Sequence, residues 1–428
     1  MNKMSSGVKT LAIQAVVLVV CLGFLEGSAR VWHRWFKAPT AAIGLNVVPY
    51  IMFSGSGGGT HTWYNQITKE KVPSSIKYNN FGAAETYNFQ MMPDAKYLAQ
   101  YGKKPGETLV LLAGGSTVNG VGATGNDKTI SAQMERYLNE RSSGKKYRVI
   151  NMAMGGWIAY QEFVGLSIFG APLNPDWVVV MDGMNDGAVP CGSGSGAANP
   201  QEWPQLIQAL QGVSGSEANP LLVSLGEYSV LIRSIFNLDQ KPSLANGLER
   251  DDSVSDKRFA VRMAGLKVGI QEDQLRFYMQ AQRNIVSLFN RSNIIVSTVP
   301  AMYDNGITAN YRPAFGVNAS SEDVRKLQAD IREYIQGNRD EKCTLDRAPQ
   351  FTGYFIAQSA LELKAMAEAE QKRDTGRRVL YYNIEASMPY EVAKREKFFI
   401  DNGHMSDAGQ ERAGKFFAEA ILAAENNK

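Results

Sequence analysis

Short apolar runs that alternate with stretches of helical spacing are the feature that most limits what this 428-residue chain can fold into. Residues 108–113 form a continuous apolar run that ends in Gly114-Gly115, as expected of a strand covered on both faces. Residues 147–152, 177–181, 293–298 and 378–382 read as four further strands. Between and after them, residues 129–141, 157–169, 272–289, 321–336, 353–372 and 407–424 have helical spacing. Asp407, with Gln410 three residues on, reads as a capping-box start for the last helix. Strands alternating with helices in this way predict an α/β fold with a parallel sheet between helical layers.

The alternation is interrupted twice. Residues 38–107 are rich in Gly, Ser, Asn and Tyr, hold a flexible stretch at 54–59, and read as an accessory region. Residues 187–257 carry Gly/Ser-rich and Pro-containing stretches and read as a long insertion after the third strand, within a main domain of 108–428. That insertion is either a lid or glycan-binding wall, or a disordered loop; Trp203 and Tyr228 in it suit sugar stacking less well than packing.

The N-terminal segment, 1–37, carries Lys3 and Lys9, no acid before Glu26, and an apolar run over 11–25. As a helix that run covers about 22 Å, short of a ~30 Å hydrocarbon core but within reach if Lys9 snorkels. Trp32, Trp35 and Phe36, interleaved with Arg30, Arg34 and Lys37, suit a helix leaving through the headgroup region. The expectation is a single membrane anchor through residues 8–36 with the bulk of the chain periplasmic or extracellular. A signal peptide cleaved near Gly27-Ser28-Ala29 is the second reading.

Composition removes other classes. Forty-five basic against 42 acidic residues leave a net charge of +3, too little field for a nucleic-acid partner. A mean hydropathy of -0.24 excludes a polytopic membrane protein. Three cysteines, none in zinc spacing, argue against a Cys/His metal centre, and no cofactor is implied. Cys191 and Cys343 are the only pair beyond the apolar run; in an oxidising compartment they are either bridged or two free thiols.

In open parallel sheets, functional groups gather in the loops beyond the carboxyl ends of the strands. Those loops here hold Gly114-Gly115-Ser116-Thr117, then Asn151 and Gly155-Gly156, then Asp182-Gly183-Met184-Asn185-Asp186, and finally Asp401-Asn402-Gly403-His404. Ser116 on a glycine turn is a candidate nucleophile, His404 its general base, and Asp401 the carboxylate that orients the imidazole. The backbone N–H groups of Ser116 and Gly156, with the Asn185 amide, are candidate oxyanion donors. With three histidines in the chain, His33 beside the apolar segment and His61 in the Gly-rich region, His404 is the one left in the α/β part.

These blocks resemble the SGNH (GDSL-type) hydrolases. Gly114-Gly115-Ser116-Thr117 stands for the Ser block, Asn151-x-Ala153-x-x-Gly156 for the Gly block, Gly183-Met184-Asn185-Asp186 for Gly-x-Asn-Asp, and Asp401-x-x-His404 for Asp-x-x-His. The resemblance covers about residues 108–186 and 375–424, with Gly115 where the usual motif has Asp and Ala153 where it more often has Gly. It implies a three-layer α/β/α flavodoxin-like sheet and metal-free ester or acyl chemistry. The expected activity is that of an extracytoplasmic serine esterase acting on an acylated glycan or lipid. An O-acyltransferase with the same acyl-enzyme, and a non-catalytic anchored scaffold, are the competing readings.

Overall fold

The computed structural model describes residues 94–187, 270–300, 319–338, 348–373 and 376–426 apart from 390, together with 61–77, 45–48, 52–55, 314, and residues 14, 17, 20–28 and 30. Two antiparallel hairpins come first: β1 (Leu45–Val48) with β2 (Met52–Gly55), and β3 (His61–Asn65) with β4 (Glu70–Ser74). The chain then runs through α1 (Ala95–Tyr101), β5 (Glu107–Gly114), α2 (Ser116–Asn119), α3 (Ile130–Arg141) and β6 (Lys146–Asn151). Next come α4 (Ala159–Gly165), β7 (Trp177–Asp182), α5 (Ile270–Leu288) and β8 (Asn293–Thr298). It finishes with α6 (Ser321–Asn338), α7 (Ala348–Gln371), β9 (Val379–Tyr381), α8 (Val392–Arg395) and α9 (Asp407–Asn426).

Strands β5 to β9 make one sheet in the order β6-β5-β7-β8-β9, with every neighbouring pair parallel. Alternate residues of each strand feed two separate cores. Leu109, Leu111, Val178, Val180, Ile294 and Val296 face helices α4, α5 and α7. Val110, Leu112, Val149, Val179 and Ile295 face α3 and α9. The expected three-layer α/β/α arrangement with flavodoxin-like strand order is therefore present. In that order the chain steps from β5 outward to β6 and then back past β5 to β7, so the crevice opens beyond the ends of β5 and β7.

Several expectations change. Part of the Gly-rich accessory region forms a hairpin: His61 begins β3, and residues 61–77 bury Trp63 and Ile76 against Val121, Ala123 and Ile400. Gly-rich composition hid it because the alternation runs for only five residues per strand. Ser54 and Gly55, read as flexible, lie in β2. The capping box at Asp407 does not form. Both carboxylate oxygens of Asp407 accept instead from Thr124, at 2.8 Å from its N–H and 2.6 Å from its hydroxyl. Gln410 is wholly buried, and its side-chain oxygen accepts from the Ile130 N–H at 3.1 Å.

Contacts divide the chain into two compact units, Met1–Ala42 with Trp203–Glu249, and Ile43–Glu202 with Arg250–Lys428. In the first, the described part of the expected anchor is helical and exposes Val17, Val20, Leu22, Phe24 and Leu25. Among the described residues no helix is long and apolar enough to cross a membrane, although most of residues 8–36 lie outside them. The insertion from 188 onward, with Trp203 and Tyr228, also lies outside the described residues, as do Cys191 and Cys343. Cys21 is exposed and free.

The return from β9 toward α9 is held by a buried ion pair. Arg395, 3% exposed, grips Glu385, 0% exposed, through two guanidinium nitrogens, one of them 3.0 Å from Glu385 Oε2. Removing one member of a buried pair strands the other charge and costs about 3–5 kcal/mol, whereas removing both is far cheaper. Denaturant unfolding should accordingly show Glu385→Ala destabilised by about 3–5 kcal/mol, and Glu385→Leu with Arg395→Met less destabilised than either single change. Additive losses would mean that the pair is not the clamp on this loop.

Candidate active site

The Ser block begins where β5 ends. Ser116 is the first residue of α2, with Gly115 as its N-cap, so its own N–H has no partner within the helix. Two buried asparagines tie this turn to the next loop. Asn119 Nδ2 donates to Ala153 O at 2.8 Å, and Asn151 Nδ2 donates to Val118 O at 2.9 Å.

Residues 399–405 form a narrow loop closed by the Phe399–Met405 bridge and by Ile400 N–H donating to His404 O at 2.9 Å. Within it, Asp401 Oδ1 accepts from the N–H groups of Gly403 at 2.9 Å and His404 at 2.7 Å, which bends the chain so that the His404 ring returns over Asp401. Asp401 Oδ2 lies 2.7 Å from His404 Nδ1, and His404 Nε2 lies 2.7 Å from Ser116 Oγ. Thr117 Oγ1 donates to Gly403 O at 2.9 Å and locks the two loops together. The three residues expected to act together are thus joined in a single chain of hydrogen bonds. With Asp401 ionised, Nδ1 carries the proton and Nε2 is left to accept from the Ser116 hydroxyl.

Burial works against ionisation of Asp401, but the neighbouring imidazole and the hydrogen bonds from His404 and Gly403 outweigh it and bring the carboxyl down to about 2. Burial also works against a charged His404; the Asp401 charge and hydrogen bond prevail and hold the imidazole above its ordinary 6.5.

Asn185 lines the same cleft as Ser116 and His404. Its Nδ2 donates to Trp157 O at 2.7 Å, which uses one amide hydrogen and leaves the second for a ligand. Gly115 makes this placement feasible: a Cβ there would lie 2.7 Å from Asn185 Nδ2. That contact gives a physical reason for glycine where the usual motif has Asp. Gly156 sits in the turn from Met154 to Trp157 with φ of 82°, a conformation that favours glycine. A Cβ on the neighbouring Gly155 would be 3.9 Å from Ser116 Cβ, so the turn runs beside the serine. Ser116, Thr117, Asn185, Asp401, His404 and Gln66 are among the residues lining an open cleft of about 210 Å³.

Behind Asn185 lies a cluster that sequence reading missed. Glu162, Asp182 and Asp186 are 1–2% exposed and close enough to shift one another's ionisation, and both Glu162 carboxyl oxygens and Asp182 Oδ2 are buried without a hydrogen-bond partner among the described residues. Asp186 also accepts from Ala159 N–H at 3.1 Å, tying the Asn185 turn to the start of α4. Burial raises all three carboxyls. The negative charge of Asp182 pushes Glu162 and Asp186 up further, while the Gly183 N–H restrains the rise of Asp182, which reaches about 6. Asp182 and Asp186 were visible as polar residues after β7, but Glu162 sits in a helical pattern where nothing marks it as an inward-facing acid.

No family model matches the chain, and no curated protein matches it. Solved structures of GDSL-like lipases, acylhydrolases and acetyl xylan esterases are similar to it. A putative acylhydrolase from Bacteroides fragilis is 12% identical, with 77% of this chain and 94% of that chain covered at a TM-score of 0.36. The acetyl xylan esterase AlAXEase is 12% identical, over 74% of this chain and 98% of that chain, at a TM-score of 0.32. A two-domain esterase active on acetylated mannans is 10% identical, over 77% of this chain and 52% of that chain, at a TM-score of 0.34. These scores are too low to carry an activity across to this chain.

An acid whose folded-state pKa is raised holds a proton that the unfolded chain releases. Its favourable contribution is therefore complete at low pH and is lost as pH rises from the ordinary carboxyl value, 4.5 for Glu162, toward the raised one. Gln at 162 keeps an N–H donor for Asp182 and has no proton to lose. Glu162→Gln should raise the melting temperature by about 2 °C or more at pH 8 and progressively less toward pH 4. Equal shifts at both pH values would contradict a protonated Glu162.

Proposed function

We propose that this chain is an SGNH-type serine ester hydrolase in which Ser116, His404 and Asp401 form the catalytic triad. The observation that carries the reading is the continuous pair of 2.7 Å contacts from Asp401 through His404 to Ser116 beyond the ends of parallel strands. His404 Nε2 takes the proton of Ser116 Oγ as the hydroxyl attacks the ester carbonyl carbon. The carbonyl π electrons move onto oxygen, where the free N–H of Asn185 and the backbone N–H groups of Ser116 and Gly156 are the proposed donors. Collapse of that intermediate breaks the bond to the alcohol oxygen, which receives the proton from Nε2. Water, deprotonated by the same nitrogen, then attacks the acyl carbon; collapse breaks its bond to Ser116 Oγ, which recovers the proton from Nε2, and the acid leaves. Asp401 keeps the imidazole in the required tautomer and offsets its positive charge during both steps.

The cleft of about 210 Å³ suits a short acyl group, and its lining by Gln66, Asn185, Asn402 and Thr117 suits a polar alcohol better than a lipid. We therefore propose an O-acylated glycan as substrate. We also propose that the N-terminal segment anchors the chain at a membrane, a reading that the exposed Val20, Leu22, Phe24 and Leu25 of its helical part support.

Ser116→Ala and His404→Ala should each abolish hydrolysis of p-nitrophenyl acetate and labelling by a fluorophosphonate, and the double mutant should be no worse than either. Asp401→Asn should lose on the order of 10⁴ in kcat. Only the neutral imidazole can accept the serine proton, so kcat/KM should rise with pH through an apparent pKa above 6.5, the side to which Asp401 moves His404. A profile centred below 6.5, or multiplied losses in the double mutant, would refute the assignment.

A further inference from the structure

The His404 loop carries a second element whose position the triad does not explain. The turn that joins β3 to β4 docks on it, with Gln66 N–H donating to Ile400 O at 2.6 Å. Gln66 lines the cleft together with Asp401, Asn402 and His404. The turn is fixed by its own chemistry: Asn65 Oδ1 accepts from Ile67 N–H at 2.9 Å and Thr68 N–H at 3.0 Å, and Lys69 N–H donates to Asn65 O at 2.8 Å. The hairpin behind it is tied to the loop after α2. Trp63 Nε1 and Ser74 Oγ both donate to Ala123 O, at 2.8 and 2.7 Å. None of the described residues hydrogen-bonds the Gln66 side-chain amide. A preorganised turn therefore holds a half-buried amide, without a partner among the described residues, at the edge of the cleft.

The two sides of the cleft have different duties. On the ester-hydrolase reading, Asn185, which lines the cleft, and the turn of residues 154–157 beside Ser116 meet the ester carbonyl oxygen. The departing alcohol oxygen takes its proton from His404 Nε2, so the alcohol lies on the His404 side, where Gln66 stands. We infer that the β3–β4 turn forms the alcohol subsite, and that Gln66 selects a hydroxyl-bearing alcohol, a sugar or polyol; this rests on the ester-hydrolase reading above. An amide offers one donor group and one acceptor, which a hydroxyl can satisfy in either sense. A hydrocarbon alcohol would dehydrate the amide and leave it unpaired, and sites built on such groups discriminate strongly against ligands that cannot pair with them.

The test uses three acetates with the same acyl group: methyl 6-O-acetylglucopyranoside, glycerol monoacetate and hexyl acetate. The wild-type protein should favour the hydroxylated esters in kcat/KM, and the better of the two distinguishes a glycan source from a glyceride one. Gln66→Met keeps the length of the side chain and removes the amide. It should lower the ratio of hydroxylated to hexyl ester by about fivefold to tenfold, the equivalent of one neutral hydrogen bond. An unchanged ratio, or a wild-type protein that prefers hexyl acetate, would overturn the subsite while leaving the hydrolase reading intact. Failure to cleave all three acetates, with no fluorophosphonate label on Ser116, would remove the hydrolase reading and the subsite with it.

Discussion

The position of β5 between β6 and β7 is the constraint on which the site depends. Because both neighbours run parallel to β5, all three strands end on the same side of the sheet, and the loops after them cannot avoid one another. Ser116 follows β5, the Asn151 to Gly156 loop follows β6, and Asn185 follows β7. The fourth block arrives differently. Its histidine is 288 residues from the serine, and it is carried there by the buried Glu385–Arg395 pair and by α9 packing on α3. A topology of this kind assembles a site from distant residues without needing any one loop to be long.

Side-chain hydrogen bonds then fix the blocks to one another, and most of them use neutral groups. Asn119 and Asn151 stitch the serine turn to the β6 loop, Thr117 and Gln410 stitch it to the His404 loop, and Asp407 holds Thr124. Neutral donors and acceptors can be buried at low cost when each finds a partner, and they specify distance and direction more sharply than apolar contact does. Asp407 and Gln410 show how this misleads a sequence reader. Both residue types favour helix starts, yet here their side chains leave the helix for other loops.

The legibility of the chain follows from what each segment must do locally. Strands buried on both faces have to be continuously apolar, so the five sheet strands could be read to within a residue or two, and β8 at its observed bounds. Ser116 could be read because it directly follows β5, and Asp401 and His404 because histidine is scarce and the two lie three residues apart. The hairpin of β3 and β4 could not, since Glu70, Lys71 and Pro73 obscure its alternation and the burial of Trp63 depends on Val121 and Ile400, far away in sequence. Gln66 inherits that difficulty: its chemistry comes from a turn whose partner is the His404 loop. Glu162 was hidden for the opposite reason, because an acid on a helix normally faces water and only the sheet beneath α4 turns it inward.

The buried acids behind Asn185 bear on the proposed chemistry through their protonation. Negative charge developing on the ester oxygen is stabilised by donors and opposed by nearby anions, and a dry interior strengthens both effects. Three ionised carboxylates next to Asn185 would work directly against its amide. Burial and the charge of Asp182 instead raise Glu162 and Asp186 well above the ordinary carboxyl range, which favours their neutral forms and limits the negative charge of the group. Asp186 accepts from the Ala159 N–H at 3.1 Å, so the turn bearing Asn185 stays attached to α4. The desolvation that makes these acids expensive to bury thus also lowers the charge they would set against the oxyanion of the proposed reaction.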